Sequence, residues 1–185
     1  MADAARRPLR NGAHGYGLVT KTLHWAMVLA ILTQFIIGFS MDARGSGRGR
    51  GRGRGQGSGS GRGRGGGYDP FGSNHLLTIH VILGSTILTL AVIRLVWRLT
   101  TPLPPWADTL TPGERTFAHW TERALYVLMF AIPLTGLWLI LADDDDMRWP
   151  HVLTHIAFFV VFVLHVSLVL KHQLLDRDRL LRRML

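Results

Sequence analysis

The chain contains no cysteine, and this absence removes several kinds of site at once. Disulfides, thiolate zinc sites and iron–sulfur clusters all need cysteine, as does the covalent attachment of c-type haem. Acidic residues are also few, with 12 Asp and Glu against 21 Lys and Arg, which leaves a formal net charge of +9. That charge would suggest nucleic acid as the partner of a soluble protein. In a membrane protein it would instead set the orientation.

Apolar residues are plentiful, since they make up 48% of the 185 residues. They concentrate in four segments, each close to the ~20 residues that a helix needs to cross the hydrocarbon of a bilayer. These segments lie at about 18–41, 76–99, 119–142 and 151–173. The first lacks the cleavage pattern of a signal peptide, so we keep it as a mature helix. The sequence predicts one domain, an all-α integral membrane four-helix bundle of up-down topology.

Basic residues cluster before the first segment, between the second and third, and after the fourth. They are Arg6, Arg7 and Arg10, then Arg98, Arg115 and Arg123, and finally Lys171, Arg177, Arg179, Arg182 and Arg183. Four spans place these three regions on one side of the membrane. By the positive-inside rule, both termini are therefore expected in the cytoplasm.

A tract of Gly, Arg and Ser at 45–67 lies in the first outer loop and conflicts with that rule. It has too few apolar residues to bury a core, so we predict a disordered loop. An RNA-binding tract is the alternative. However, no Phe or Tyr is interleaved to stack on bases, and the predicted topology places the tract outside the cytoplasm. We therefore favour a flexible insert and expect no nucleic acid partner.

Nine histidines are many for this length, and a histidine within hydrocarbon is costly unless it has a partner or a metal. His151 and His165 are fourteen residues apart on the fourth segment. This spacing corresponds to ~21 Å of helix rise and to side chains within ~40° of one face. One helix face therefore presents two ligands at two depths.

The first and second segments each supply a histidine at one of these depths. Matching the depths pairs His24 with His165 near the cytoplasmic face and His80 with His151 near the outer face. Two irons held in this way would lie roughly 20 Å apart by the helix rise. Bis-histidine ligation of haem iron is an electron-transferring arrangement.

Other interpretations of these histidines stay open. Some of them lie close enough to a segment end to be merely interfacial. His155 is the main alternative to His151 as a ligand. However, it lies only ~15 Å of helix rise from His165, and its side chain points ~80° away from the face on which His165 lies. A zinc site would need three or four ligands at one point, whereas these residues form two separated pairs.

Three further residues match the two predicted depths. Gly38 lies fourteen residues after His24, and Gly84 lies one turn after His80, where a missing side chain would let a macrocycle approach. Arg94 lies fourteen residues after His80, where its guanidinium could pair with a haem propionate. Snorkelling of Arg94 to the interface is an equal alternative.

Several short stretches resemble the bacterial cytochrome b561 family, the four-helix dihaem cytochromes of the inner membrane. They are Leu23-His24-Trp25, His80-Val81 with Gly84, Ile93-Arg94 with Arg98, Ala118-His119 with Tyr126, Pro133 and Gly136, Leu164-His165, and Asp178-Arg179-Leu180-Leu181-Arg182. The resemblance covers nearly all of the chain except the leader and the first loop. Glu122 is a departure, because many members carry a histidine there.

The resemblance implies two noncovalent b-type haems at His24, His80, His151 and His165, in the bacterial inner membrane. It also implies electron exchange with a ubiquinone-type quinone, with superoxide or a redox protein as the donor, which makes the chain a candidate oxidoreductase. Related subunits instead anchor larger redox complexes, which is the alternative function. A haem-free bundle that binds lipid or protein is the third.

Overall fold

Four long α-helices and one short 3-10 helix form the described part of the chain, in a computed structural model. The described residues are 9–12, 15–46, 71, 75–142, 148–178 and 180–185. The helices are α1 (Leu18–Ser46), α2 (His75–Thr100), α3 (Pro112–Leu141), α4 (Arg148–Leu174) and the C-terminal 3-10 helix (Leu180–Arg183). The described residues contain no strand, only an isolated bridge between Gly12 and Gly15. The all-α prediction is confirmed.

Each of the four helices is long and apolar enough to span a bilayer. Large apolar side chains cover the outside of the bundle: Phe39 is 78% exposed and Trp149 is 77% exposed. In water such a surface would be costly, whereas in lipid it needs no cover. The predicted four-helix membrane bundle is confirmed in this respect.

Two helices, α1 and α3, extend furthest beyond the segments predicted from hydropathy. α3 begins at Pro112 because Thr111 and Glu114 form a capping box, in which the Thr111 N–H donates to Glu114 Oε2 at 2.9 Å. Proline is favoured in the first turn, where its missing N–H is not needed. α1 continues to Ser46 and so includes the first two residues of the Gly and Arg tract. The rest of that tract, the acidic turn at 143–146 and His14 lie outside the described residues.

Helices that follow one another in the chain pack side by side and run in opposite directions. Near one end of the bundle, Trp97 of α2 donates to Thr20 Oγ1 of α1 at 2.9 Å. At the same end, Arg98 donates to Glu122 of α3 at 3.0 Å. The last turn of α2 therefore meets the first turn of α1 and the first half of α3, as up-down topology requires.

A small buried core lies at half depth in the bundle. It consists of Met27, Ile87, Ala91, Met129 and Phe158. Within the described ranges, the backbones of α1 and α4 do not approach closely. Aromatic side chains bridge them, because the Phe35 ring lies 6.1 Å from that of Phe158. The bundle thus has room on either side of its core.

Candidate cofactor-binding cavity

A large cavity of about 2780 Å³ lies between the four helices. A single small-molecule site typically occupies roughly 300–1,000 Å³. All seven residues predicted to bind a cofactor line the cavity: His24, Gly38, His80, Gly84, Arg94, His151 and His165. The volume and the lining therefore suit more than one large ligand.

At one end of the cavity, His80 of α2 faces His151 of α4. Their ring centroids are 6.4 Å apart, and their planes are inclined by 84°. An imidazole nitrogen binds a transition metal at about 2 Å, so two imidazoles on opposite sides of one metal have centroids about 6 Å apart. The observed separation fits a metal held between these two rings.

His155 lies beside this pair. Its ring centroid is 4.5 Å from that of His151, and its Nδ1–H donates to the His151 carbonyl at 2.7 Å. The ring also meets Phe35 edge-on at 5.4 Å. His155 is thus held by its own helix and by an aromatic neighbour, whereas His151 faces His80.

Glycines make room for the two facing imidazoles. A Cβ added at Gly38 would lie 3.5 Å from His80 Cε1, and one added at Gly136 would lie only 2.8 Å from His151 Cε1. Any side chain at Gly136 would therefore force the ring to move. Gly84 faces Gln34 instead, because a Cβ there would lie 3.4 Å from Gln34 Nε2.

Gln34 was missed by the sequence reasoning. It is only 8% exposed, and its Nε2 donates to both the backbone carbonyl and the ring Nε2 of His80, each at 3.1 Å. Its amide therefore covers the ring nitrogen that a metal would need. A lone polar residue in the middle of an apolar span was the available signal.

At the other end of the cavity, Arg94 lies within electrostatic range of both His24 and His165. Its Nε donates to the Tyr126 hydroxyl at 3.3 Å, and its guanidinium lies 5.7 Å from the centre of the Tyr126 ring. Arg94 is therefore directed into the bundle rather than along the surface.

Polar side chains line the cavity beyond this cluster, among them Arg98 and Glu122, which form an ion pair at 3.0 Å. Tyr16 also lines it, from the segment before α1. Burial raises the pKa of the Tyr16 hydroxyl, and the nearby Glu122 carboxylate raises this pKa further. This end of the cavity combines apolar walls with several hydrogen-bonding groups.

The residues fit a metal-centred group held between histidines. Buried polar atoms without a hydrogen-bond partner include His24 Nδ1, His80 Nδ1 and Gln34 Oε1. Unsatisfied polar groups of this kind are costly unless a ligand or water satisfies them. The unpartnered Gln34 Oε1, the facing rings and the glycines beside them support a cofactor in the cavity.

His172 belongs to a separate cluster at the end of α4, which we call the C-terminal clasp: Glu114, Lys171, His172, Asp176 and Asp178. The His172 side chain is only 1% exposed and lies 2.7 Å from Asp178 Oδ2. Lys171 Nζ lies 2.5 Å from Glu114 and 2.8 Å from Asp176. The clasp ties the tail to the beginning of α3.

Comparison with known proteins gives one consistent result. The family described as prokaryotic cytochrome b561 matches residues 15–185. A protein named cytochrome b562 from Cereibacter sphaeroides is 28% identical over 174 residues, which cover 92% of this chain and 95% of the relative. Cytochrome b561 homolog 2 from Escherichia coli K12 is 25% identical over 198 residues, which cover 95% of this chain and 93% of the relative.

Proposed function

Because the chain belongs to the prokaryotic cytochrome b561 family, we propose that it carries electrons in the bacterial inner membrane with two noncovalently bound b-type haems. In this proposal His80 and His151 would hold one haem, and His24 and His165 would hold the other. The observation that carries this proposal is the pair of facing imidazoles, whose centroids lie 6.4 Å apart at the cavity wall.

The other residues around the cavity would orient the cofactors and exclude water from them. Bound haem supplies the one-electron redox chemistry. Arg94 would neutralise a propionate, because its guanidinium is directed into the bundle. Gly38 would leave space beside the His80 ring, and Gly84 would leave space beside the Gln34 amide, since neither carries a side chain.

We orient the protein with both termini in the cytoplasm, as the distribution of basic residues suggests. His24, Arg94 and His165 then lie towards the cytoplasmic face, and His80 and His151 lie towards the outer face. An alkaline phosphatase fusion to the C-terminus would be inactive in this orientation. An active fusion would reverse the assignment of inner and outer ends.

A ubiquinone-type quinone is the electron acceptor in this proposal. The His24 end of the cavity suits an amphipathic ligand, because Tyr16, Arg98 and Glu122 offer polar groups between apolar walls. A quinone would place its polar ring among these groups and its tail along the helices. It would take up two electrons and two protons to form the quinol.

Superoxide is the donor that we propose at the outer face. Each anion would give up one electron and leave as dioxygen, so two anions would supply the two electrons that one quinone takes up. Arginines in the first outer loop would attract the anion, so its rate of reaction should fall as the salt concentration rises. A rate that is independent of ionic strength would exclude this steering.

The proposal as a whole is tested on the purified full-length protein. We expect two haems per chain, a b-type α band after reduction with dithionite, and reoxidation by an added short-chain quinone. A chain that is purified without haem and cannot be loaded with it would contradict the proposal.

A further inference from the structure

The His151 imidazole is held by α3, a helix that supplies none of the four proposed ligands. Thr135 Oγ1 lies 3.0 Å from His151 Nδ1. The next residue, Gly136, lies so close to the ring that an added Cβ would come within 2.8 Å of Cε1. Two consecutive residues of α3 therefore define the position of this ring.

The hydrogen bonds of Thr135 indicate which ring nitrogen carries the hydrogen. Its hydroxyl lies 2.8 Å from the Ala131 carbonyl and 2.9 Å from the Ile132 carbonyl, both of which can only accept. A hydroxyl has one hydrogen. Because Thr135 donates that hydrogen to a carbonyl of its own helix, its oxygen accepts a hydrogen bond from His151. The ring nitrogen that faces α3 therefore bears the hydrogen.

A neutral imidazole with its hydrogen on Nδ1 has its lone pair on Nε2. We infer that Thr135 is a positioning residue, which holds His151 as the Nδ1–H tautomer and so presents Nε2 as the ligand to iron. This inference rests on the proposed function. In this inference α3 carries no ligand itself, but it orients one of the ligands.

The hydrogen bond with Thr135 distinguishes His151 from two of the other proposed ligands. In the described part of the chain, the Nδ1 atoms of His24 and His80 are buried without a hydrogen-bond partner. Hydrogen bonds to the outer nitrogen of a metal-bound histidine fix its orientation and raise its basicity. Loss of the Thr135 hydroxyl should therefore affect the haem of the His80 and His151 pair and leave the other haem unchanged.

The test compares Thr135→Val and Thr135→Ala, which both remove the hydroxyl, with Thr135→Ser, which keeps it. Thr121→Val is a matched control, because Thr121 lies on the same helix and its hydroxyl is likewise within hydrogen-bond distance of two carbonyls of its own turn. The readouts are the haem-to-chain ratio, the affinity for each haem, and the two midpoint potentials in a redox titration.

For Thr135→Val and Thr135→Ala, we expect about 10-fold weaker binding of one haem, the usual cost of removing such a partner. The midpoint potential of that haem should rise, because a less basic imidazole stabilises ferric iron less well. Thr135→Ser should restore both properties, and Thr121→Val should change neither.

Hydroxyl-free variants with wild-type affinity and potentials would overturn the inference. A Thr135→Ser variant as defective as Thr135→Val would also overturn it, because the role would then be one of packing. These outcomes differ from failure of the proposed function, in which the wild-type protein itself would bind no haem.

Discussion

His80 and His151 are 71 residues apart in the sequence, yet their imidazole rings face each other at 6.4 Å across the cavity. They lie on α2 and α4, which are not neighbours in the bundle. A group bound between them would therefore join opposite sides of the protein. Haem binding should accordingly stabilise the whole bundle rather than one helix pair.

His155 is the first point at which the assignment can be checked. We expect His155→Ala to retain both haems, because this ring is held by the His151 carbonyl and by Phe35. His151→Ala should lose one haem. The measurement is the haem-to-chain ratio of each purified variant. Loss of a haem from His155→Ala with full retention in His151→Ala would exchange their roles.

Gln34→Leu should destabilise the haem-free protein but still allow two haems to bind. The variant loses the hydrogen bonds to His80, each with a net contribution of about 1 kcal/mol, and it uncovers the ring nitrogen that would bind iron in our proposal. Thermal unfolding of the haem-free protein and haem titration measure the two effects. Loss of a haem would show that Gln34 supports the cofactor instead. Thr33→Val, on the same helix, is the control.

Arg94→Gln should lower the midpoint potential of one haem and leave the other unchanged. Its positive charge lies within range of His24 and His165 and disfavours the more positive ferric form. Arg94→Lys keeps the charge and should restore most of the potential. A redox titration of the α band checks this. Equal shifts of both haems in Arg94→Gln would contradict the placement of Arg94 at one end.

The C-terminal clasp should be insensitive to metal chelators. Ligand atoms of Glu114, His172 and Asp176 lie within 4.8 Å of one another, but the Lys171 ammonium already contacts both carboxylates. EDTA should therefore leave the melting temperature unchanged. Lys171→Met should lower it, because the carboxylates would then repel one another. A melting temperature that falls with EDTA would indicate a bound ion instead of a salt bridge.

The four long helices could be predicted from hydropathy, because lipid requires long apolar helices. Their orientation, which the distribution of charge suggests, stays a prediction. The spacing between His151 and His165 also indicated that they lie at different depths in the bundle, because fourteen residues of helix correspond to a known rise along its axis. The beginning of α3 was missed, since Thr111 and Glu114 define it by capping, whereas the prediction followed hydropathy alone.

Gln34 and Thr135 could not be assigned from the sequence in the same way. A single polar residue in an apolar helix has no periodicity that identifies its partner. Their roles depend on contacts between helices, with His80 for Gln34 and with His151 for Thr135. The clasp is similar, because Glu114 and His172 meet only after α3 and α4 have packed.

The pairing of the histidines is tested most directly by the haem content of two double variants. His80→Ala with His151→Ala removes both ligands of one proposed site, so the purified protein should retain one haem per chain. His80→Ala with His165→Ala removes one ligand from each site, so it should retain none. The opposite result, with no haem in the first variant and one haem in the second, would contradict the pairing of these ligands.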